Sequence, residues 1–133
     1  MRVSINAADV EGPSGGGNQF AAALKRHLAV RGHDVLPRLT PAAEAVFLVS
    51  AIHDPRTTTF SLDEVEAHRR AFPNTPVALR VNDSDEGRGA DLGRNAAILR
   101  AAAMADHTVF VSAFVRDLHI GHGLDATRPQ TVI

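Results

Sequence analysis

Apolar runs of strand length alternate with segments of helical period along this chain, and that alternation leaves few folds open. Strands separated by helices pair in parallel, because a parallel partner needs a crossover long enough to carry a helix. The expected fold class is α/β, a Rossmann-like parallel sheet with helices on both faces. Arg2 to Asn6 reads as strand one. The helix after it spans Gln19 to Arg31, with Phe20, Leu24 and Leu28 at spacings of four, Asn18 as cap and Gly32 as stop. Strand two is His33 to Leu39, interrupted by Pro37, and strand three is Ala45 to Ser50, whose Val46-Phe47-Leu48-Val49 run reads as buried on both faces.

Ser61 and Glu64 stand at capping-box spacing and open a helix from Leu62 to Ala71, closed before Pro73. Strand four is Val77 to Val81. The stretch Asn82 to Gly89, polar, charged and glycine-bearing, reads as loop. A helix from Asp91 to Met104 puts Leu92, Ala96, Leu99 and Ala103 on one stripe; strand five is His107 to Val111, and Ser112 is set to cap a last helix reaching about His119. Thr131-Val132-Ile133 reads as the opening of a further buried strand after a turn at Arg128-Pro129, so a longer parent protein is expected.

The 133 residues suit one domain, and 44% hydrophobic content is enough for a core. With 14 Lys plus Arg against 15 Asp plus Glu, bulk charge gives no support to a nucleic-acid partner; any anion site must be local. Zero cysteines exclude disulfides, thiol catalysis and thiolate metal sites. No signal-peptide pattern opens the chain and no apolar run nears the roughly 18 residues of a membrane helix, so the expected location is cytoplasmic, without a transmembrane segment.

Ligands of parallel α/β sheets bind beyond the carboxyl ends of the strands, near the point where strand order reverses. That rule selects Gly15-Gly16-Gly17-Asn18, Ser50 to His53, Asn82 to Arg88 and Ser112 to Arg116, which are expected to line one crevice. The glycine triplet permits positive φ and close approach of a ligand, and a helix starting just after it presents free N–H groups and the positive end of its dipole, which suits phosphate. A dinucleotide fingerprint starting at Gly15 requires glycine where Phe20 stands, and no Lys-Ser/Thr pair follows the glycines as a P-loop requires. Asp83-Ser84-Asp85-Glu86 lacks the EF-hand pattern, with Gly87 at its fifth position. His119 and His122, three apart on a helix, lack an evident third metal ligand, and no metal is expected.

The segment MRVSINAADVEGPSGGGNQFAAALKRHLAVRGHDV and the stretch RVNDSDEGRGADLGRNAAILRAAAMADHTVFVSAFVRDLHIGHG resemble the N-terminal domain of family 4 type glycosyltransferases of the GT-B fold. The resemblance implies the acceptor-side half of an enzyme moving a sugar from a nucleotide-sugar co-substrate, with no tightly bound cofactor and with a missing C-terminal domain as partner. It implies that Gly15, Gly16, Gly17 and Asn18 approach the donor's phosphates. Asn82, Asp83, Asp85, Glu86, Arg80, Arg88, Ser112 and Arg116 are expected to meet the acceptor or sugar, and Asp83 is the most conveniently placed carboxylate for catalysis. The family's paired glutamates, separated by seven residues, do not occur here, and Asn82 and Asp83 stand where many relatives have histidine. Two other classes stay open: an NAD(P)-binding domain of an oxidoreductase, and a non-catalytic flavodoxin-like interaction module.

Overall fold

The computed structural model describes residues 1–12 and 15–133. Its elements follow one another as β1 (Arg2–Ile5), α1 (Gly16–Val30), β2 (Asp34–Leu36), β3 (Ala45–Leu48), α2 (Leu62–Ala71), β4 (Val77–Val81), α3 (Asp85–Arg88), α4 (Arg94–Met104), β5 (His107–Phe110), α5 (Ala113–Gly121) and β6 (Gln130–Val132). All strand pairs are parallel, in the order β2-β1-β3-β4-β5-β6. The fold is thus a doubly wound, Rossmann-like α/β sheet. The chain moves from β1 to one edge, returns to β3 on the other side of β1, and continues outward, so strand order reverses between β1 and β3.

Alternation along the strands divides the core in two, because successive side chains of a strand leave opposite faces. Phe20, Leu24 and Leu28 of α1 cover the face that carries Val3, Ile5 and Val49. On the other face Val65 of α2, Ile98 and Ala101 of α4, and Val115 of α5 pack on Val46, Leu48, Val77, Leu79 and Phe110. Of the run expected to be buried on both faces, Val46, Leu48 and Val49 are buried, whereas Phe47, under α1, is only half-buried.

Local chemistry accounts for the element ends. Ser61 Oγ accepts from the Glu64 N–H while the Glu64 carboxylate accepts from the Ser61 N–H, closing the capping box of α2 over its expected range. Gly32, at φ 79°, stops α1 in the left-handed conformation that glycine adopts without a Cβ clash.

Four expectations are corrected. Helix α1 starts at Gly16 rather than Gln19, because the N–H groups of Asn18 and Gln19 already donate to the Gly15 carbonyl; Gly15 is the N-cap and Asn18 lies in the first turn. None of Gly15, Gly16 and Gly17 has positive φ; the left-handed glycine of that connection is Gly12. The stretch after β4 is not all loop, since Ser84 Oγ accepts the Gly87 N–H and Gly89 takes a left-handed cap, enclosing α3. Finally, β6 is an exposed edge strand, with Thr131 and Val132 on the surface, because nothing pairs on its outer side among the described residues.

Candidate functional site

The carboxyl ends of β1 and β3, at the point of reversal, open onto a crevice of about 320 Å³. Asn6, the residue that follows β1, fixes this mouth. Its Nδ2 donates to the Ser50 carbonyl at 2.8 Å and its Oδ1 accepts the Val49 N–H at 2.7 Å, so a side chain only 2% exposed ties the two strand ends together. The connection from 51 to 60 is drawn onto the same edge, with the Ala8 N–H donating to the Thr57 carbonyl and Thr58 Oγ1 2.8 Å from His53 Nδ1.

One wall is the start of α1. Gly15, Gly16 and Gly17 line the crevice, and a Cβ built on any of them meets nothing within 4 Å. No side chain among the described residues caps this helix end, whose first N–H groups and positive dipole end border the crevice. What the glycines contribute is therefore bare backbone at a helix start, not an unusual turn.

The opposite wall comes from β4 and the segment after it. Asp83 is the organiser: its carboxylate accepts from the Ser84 N–H, from Arg88 Nε at 3.1 Å and from Arg94 Nη1 at 2.8 Å. Burial works against its charge, yet the hydrogen bonds from Arg88 and Ser84 and the positive charges of Arg94 and Arg88 prevail, and its pKa lies below the ordinary carboxylate value. A carboxylate so held is ionised and a poor proton acceptor at neutral pH, which does not suit the catalytic role expected of Asp83.

Arg80 projects from β4 toward α1, its guanidinium carbon 4.4 Å from the centroid of the Phe20 ring. Stacking of this kind contributes about 0.5–2 kcal/mol. Burial lowers its pKa from the ordinary value. Nε and Nη1 of Arg80, and Nε of Arg94, are buried and meet no acceptor among the described residues. A buried donor left unpaired costs about 1–3 kcal/mol.

The sequence-nominated residues divide. Gly15, Gly16, Gly17, Asn18, Ser50, Arg80, Asn82, Asp83 and Arg88 line the crevice. Asp85 and Glu86 turn to a separate depression beside His122. There Asp85 accepts the N–H groups of Leu92, Arg94 and Asn95, serving the start of α4, and Glu86 binds Asn95 Nδ2 and His122 Nε2. Ser112 caps α5 through the Val115 N–H, and Arg116 pairs with Asp117. Their strand, β5, stands two places from β3, roughly 10 Å at the usual spacing, too far to border the point of reversal.

Sequence reasoning passed over Asn6 and Arg94, and weighed His119 only as a metal ligand. The His119 ring is 0% exposed and its Nε2 meets the Asp83 carbonyl at 2.9 Å. His119 and His122 serve different partners with ring centroids 6.4 Å apart, and among the described residues no three His, Asp or Glu side chains group as a metal site. Among the same residues no helix is long and apolar enough to cross a membrane.

Fold and site together define a doubly wound α/β domain with a cationic crevice at its point of reversal. Comparisons with protein-family models, with curated proteins and with solved structures return no match.

Proposed function

We propose that this chain is the N-terminal, acceptor-side half of a glycosyltransferase that takes a sugar from a nucleotide-sugar, completed by a second domain that closes over the crevice. One observation carries the reading: in a chain of net charge -1, the described lining of the crevice sets Arg80, Arg88 and Arg94 against the one carboxylate of Asp83, facing the start of α1. The helix start suits the diphosphate of a donor and the charge that develops on it as the glycosidic bond breaks, and the arginines make the crevice a place for anionic substrate. The volume agrees with a half-site. About 320 Å³ is at the small end of ligand cavities, room for a sugar phosphate but not for a whole nucleotide-sugar.

In this reading the open backbone at Gly15 to Gly17 lets donor phosphates approach, and Asn82 and Ser50 offer hydrogen bonds to sugar hydroxyls. No protein base is assigned. The strand order also favours a second reading, a flavodoxin-like module that acts by interaction alone. The surplus of arginine over carboxylate on the crevice lining weighs against it, since a module without a ligand gains nothing from it.

The test is a polypeptide running from Met1 through whatever follows Ile133 in its reading frame, incubated with UDP-, GDP- and ADP-sugars while released nucleoside diphosphate is measured. Release stimulated by a sugar or polyol acceptor supports the proposal. Binding of a nicotinamide dinucleotide in the crevice, or the absence of release with every donor, overturns it.

A further inference from the structure

The floor of the crevice carries more positive charge than its own residues neutralise. Arg80 and Arg94 border both the crevice and an adjoining recess of about 30 Å³. Asp83 neutralises part of this by pairing with Arg94 and Arg88, whereas no carboxylate among the described residues pairs with Arg80. The Phe20 ring fixes the plane of the Arg80 guanidinium but supplies no oxygen to its N–H groups. A compact oxyanion answers the surplus charge of the two arginines on the lining, because the guanidinium fork matches the oxygens of phosphate or carboxylate. A nucleobase or a nicotinamide ring does not.

Charge selects between the two oxyanions. Three arginines against one aspartate leave two positive charges on the lining, a balance that a phosphate monoester, carrying about -1.5 to -2 at pH 7, meets and a carboxylate does not. Position separates this anion from the donor's. The glycine wall continues from β1, whereas Arg94 pairs with Asp83 on the opposite wall after β4, so an anion held there stands across the crevice from one at the start of α1.

We propose that Arg80 and Arg94 form an oxyanion subsite that receives a phosphate carried by the acceptor, so that the acceptor class is a phosphorylated sugar or polyol. Its assignment to the acceptor rests on the transferase reading; the subsite itself does not.

The test uses the 133-residue chain and follows the side-chain Nε–H signals of Arg80 and Arg94 by NMR during titration with inorganic phosphate, glycerol 3-phosphate, acetate, glycerol and UDP. Both phosphates are expected to shift the two signals, acetate to bind at least fivefold more weakly, and glycerol to shift neither. Arg80→Met and Arg94→Gln each weaken glycerol 3-phosphate at least tenfold, and Arg80→Lys, which keeps the charge and the stem but loses the fork, weakens it as well. Arg100→Gln, in an exposed pair with Asp63 and Glu66 on α2, binds as the parent does. UDP is expected to shift the amides of Gly15 to Gly17 without displacing glycerol 3-phosphate.

Three results overturn the proposal: no shift at either Nε with phosphate, equal affinity in the Arg80 and Arg94 variants, or competition between UDP and glycerol 3-phosphate, which returns the anion to the donor. A chain that binds phosphate at Arg80 and Arg94 while its extended form releases no nucleoside diphosphate separates the two ideas, because the subsite then stands and the transferase reading falls.

Discussion

The ring of His119 donates from Nε2 to the backbone carbonyl of Asp83 over 2.9 Å, joining α5 to the segment after β4. A carbonyl only accepts, so this bond places a proton on Nε2, while Nδ1 is buried without a partner among the described residues. The geometry matters because Asp83 in turn holds Arg88 and Arg94 at the crevice. His119→Phe keeps an aromatic ring of similar size and deletes the bond, and is expected to destabilise the fold by about 1–3 kcal/mol in urea unfolding. It should also weaken phosphate binding, because the Asp83 carboxylate loses its fixed position. A loss of stability below about 0.5 kcal/mol, the usual scatter of neutral surface changes, removes His119 from the support of the loop.

Glu86 gives the fold an acid-sensitive joint. The Asn95 amide and, further down, the His122 ring bind its carboxylate and lower its pKa from 4.5 to about 2. A carboxylate depressed in the folded state lends stability that is complete above its unfolded pKa and lost as pH falls through the folded one. The contribution therefore disappears between pH 4.5 and about 2. Melting temperature followed across this window is expected to fall less steeply in Glu86→Gln than in the parent. Parallel curves for the two proteins dismiss the joint.

Asp85 takes the place of a side-chain cap on α4. Gly93, the N-cap, has no side chain to offer, and the Asp85 carboxylate receives the N–H groups of Leu92, Arg94 and Asn95 instead. In Asp85→Ala the amides of Arg94 and Asn95 should exchange with solvent faster while those of β4 keep their protection. Because α4 starts at Arg94, fraying there also loosens the Arg94 grip on Asp83. Unaltered exchange at Arg94 and Asn95 refutes the capping role.

The same capping chemistry explains what was legible in the sequence and what was not. Helix α2 is readable to the residue because Ser61 and Glu64 are local and an apolar face follows them. Helix α3 carries comparable signals, Ser84 before two acids and Gly89 after them, but with no apolar period the polar and glycine-bearing stretch around it reads as loop. The crevice wall at Gly15 to Gly17 followed from chain order alone, since the first βα connection of a parallel sheet must end at its carboxyl edge. The roles of Asn6, Arg94 and His119 escaped because they lie in partners far along the chain: Ser50 lies 44 residues from Asn6, and Asp83 36 from His119. A buried asparagine or histidine looks, in sequence, like any other until the sheet brings its partner across.

The glycine wall itself yields the most direct prediction about ligand approach. Gly16 is the first residue of α1, without positive φ, and a Cβ there meets nothing within 4 Å. Gly16→Val is thus expected to change stability by no more than about 0.5 kcal/mol, as for other unobstructed surface positions. The branched side chain nevertheless occupies the space through which a ligand reaches the first N–H groups of the helix, and binding of UDP measured by calorimetry should weaken at least tenfold. Gly16→Ala, which adds only a methyl, should fall between the two. Equal UDP affinity in all three proteins takes the start of α1 out of the ligand wall and leaves the arginines as the crevice's sole claim on an anion.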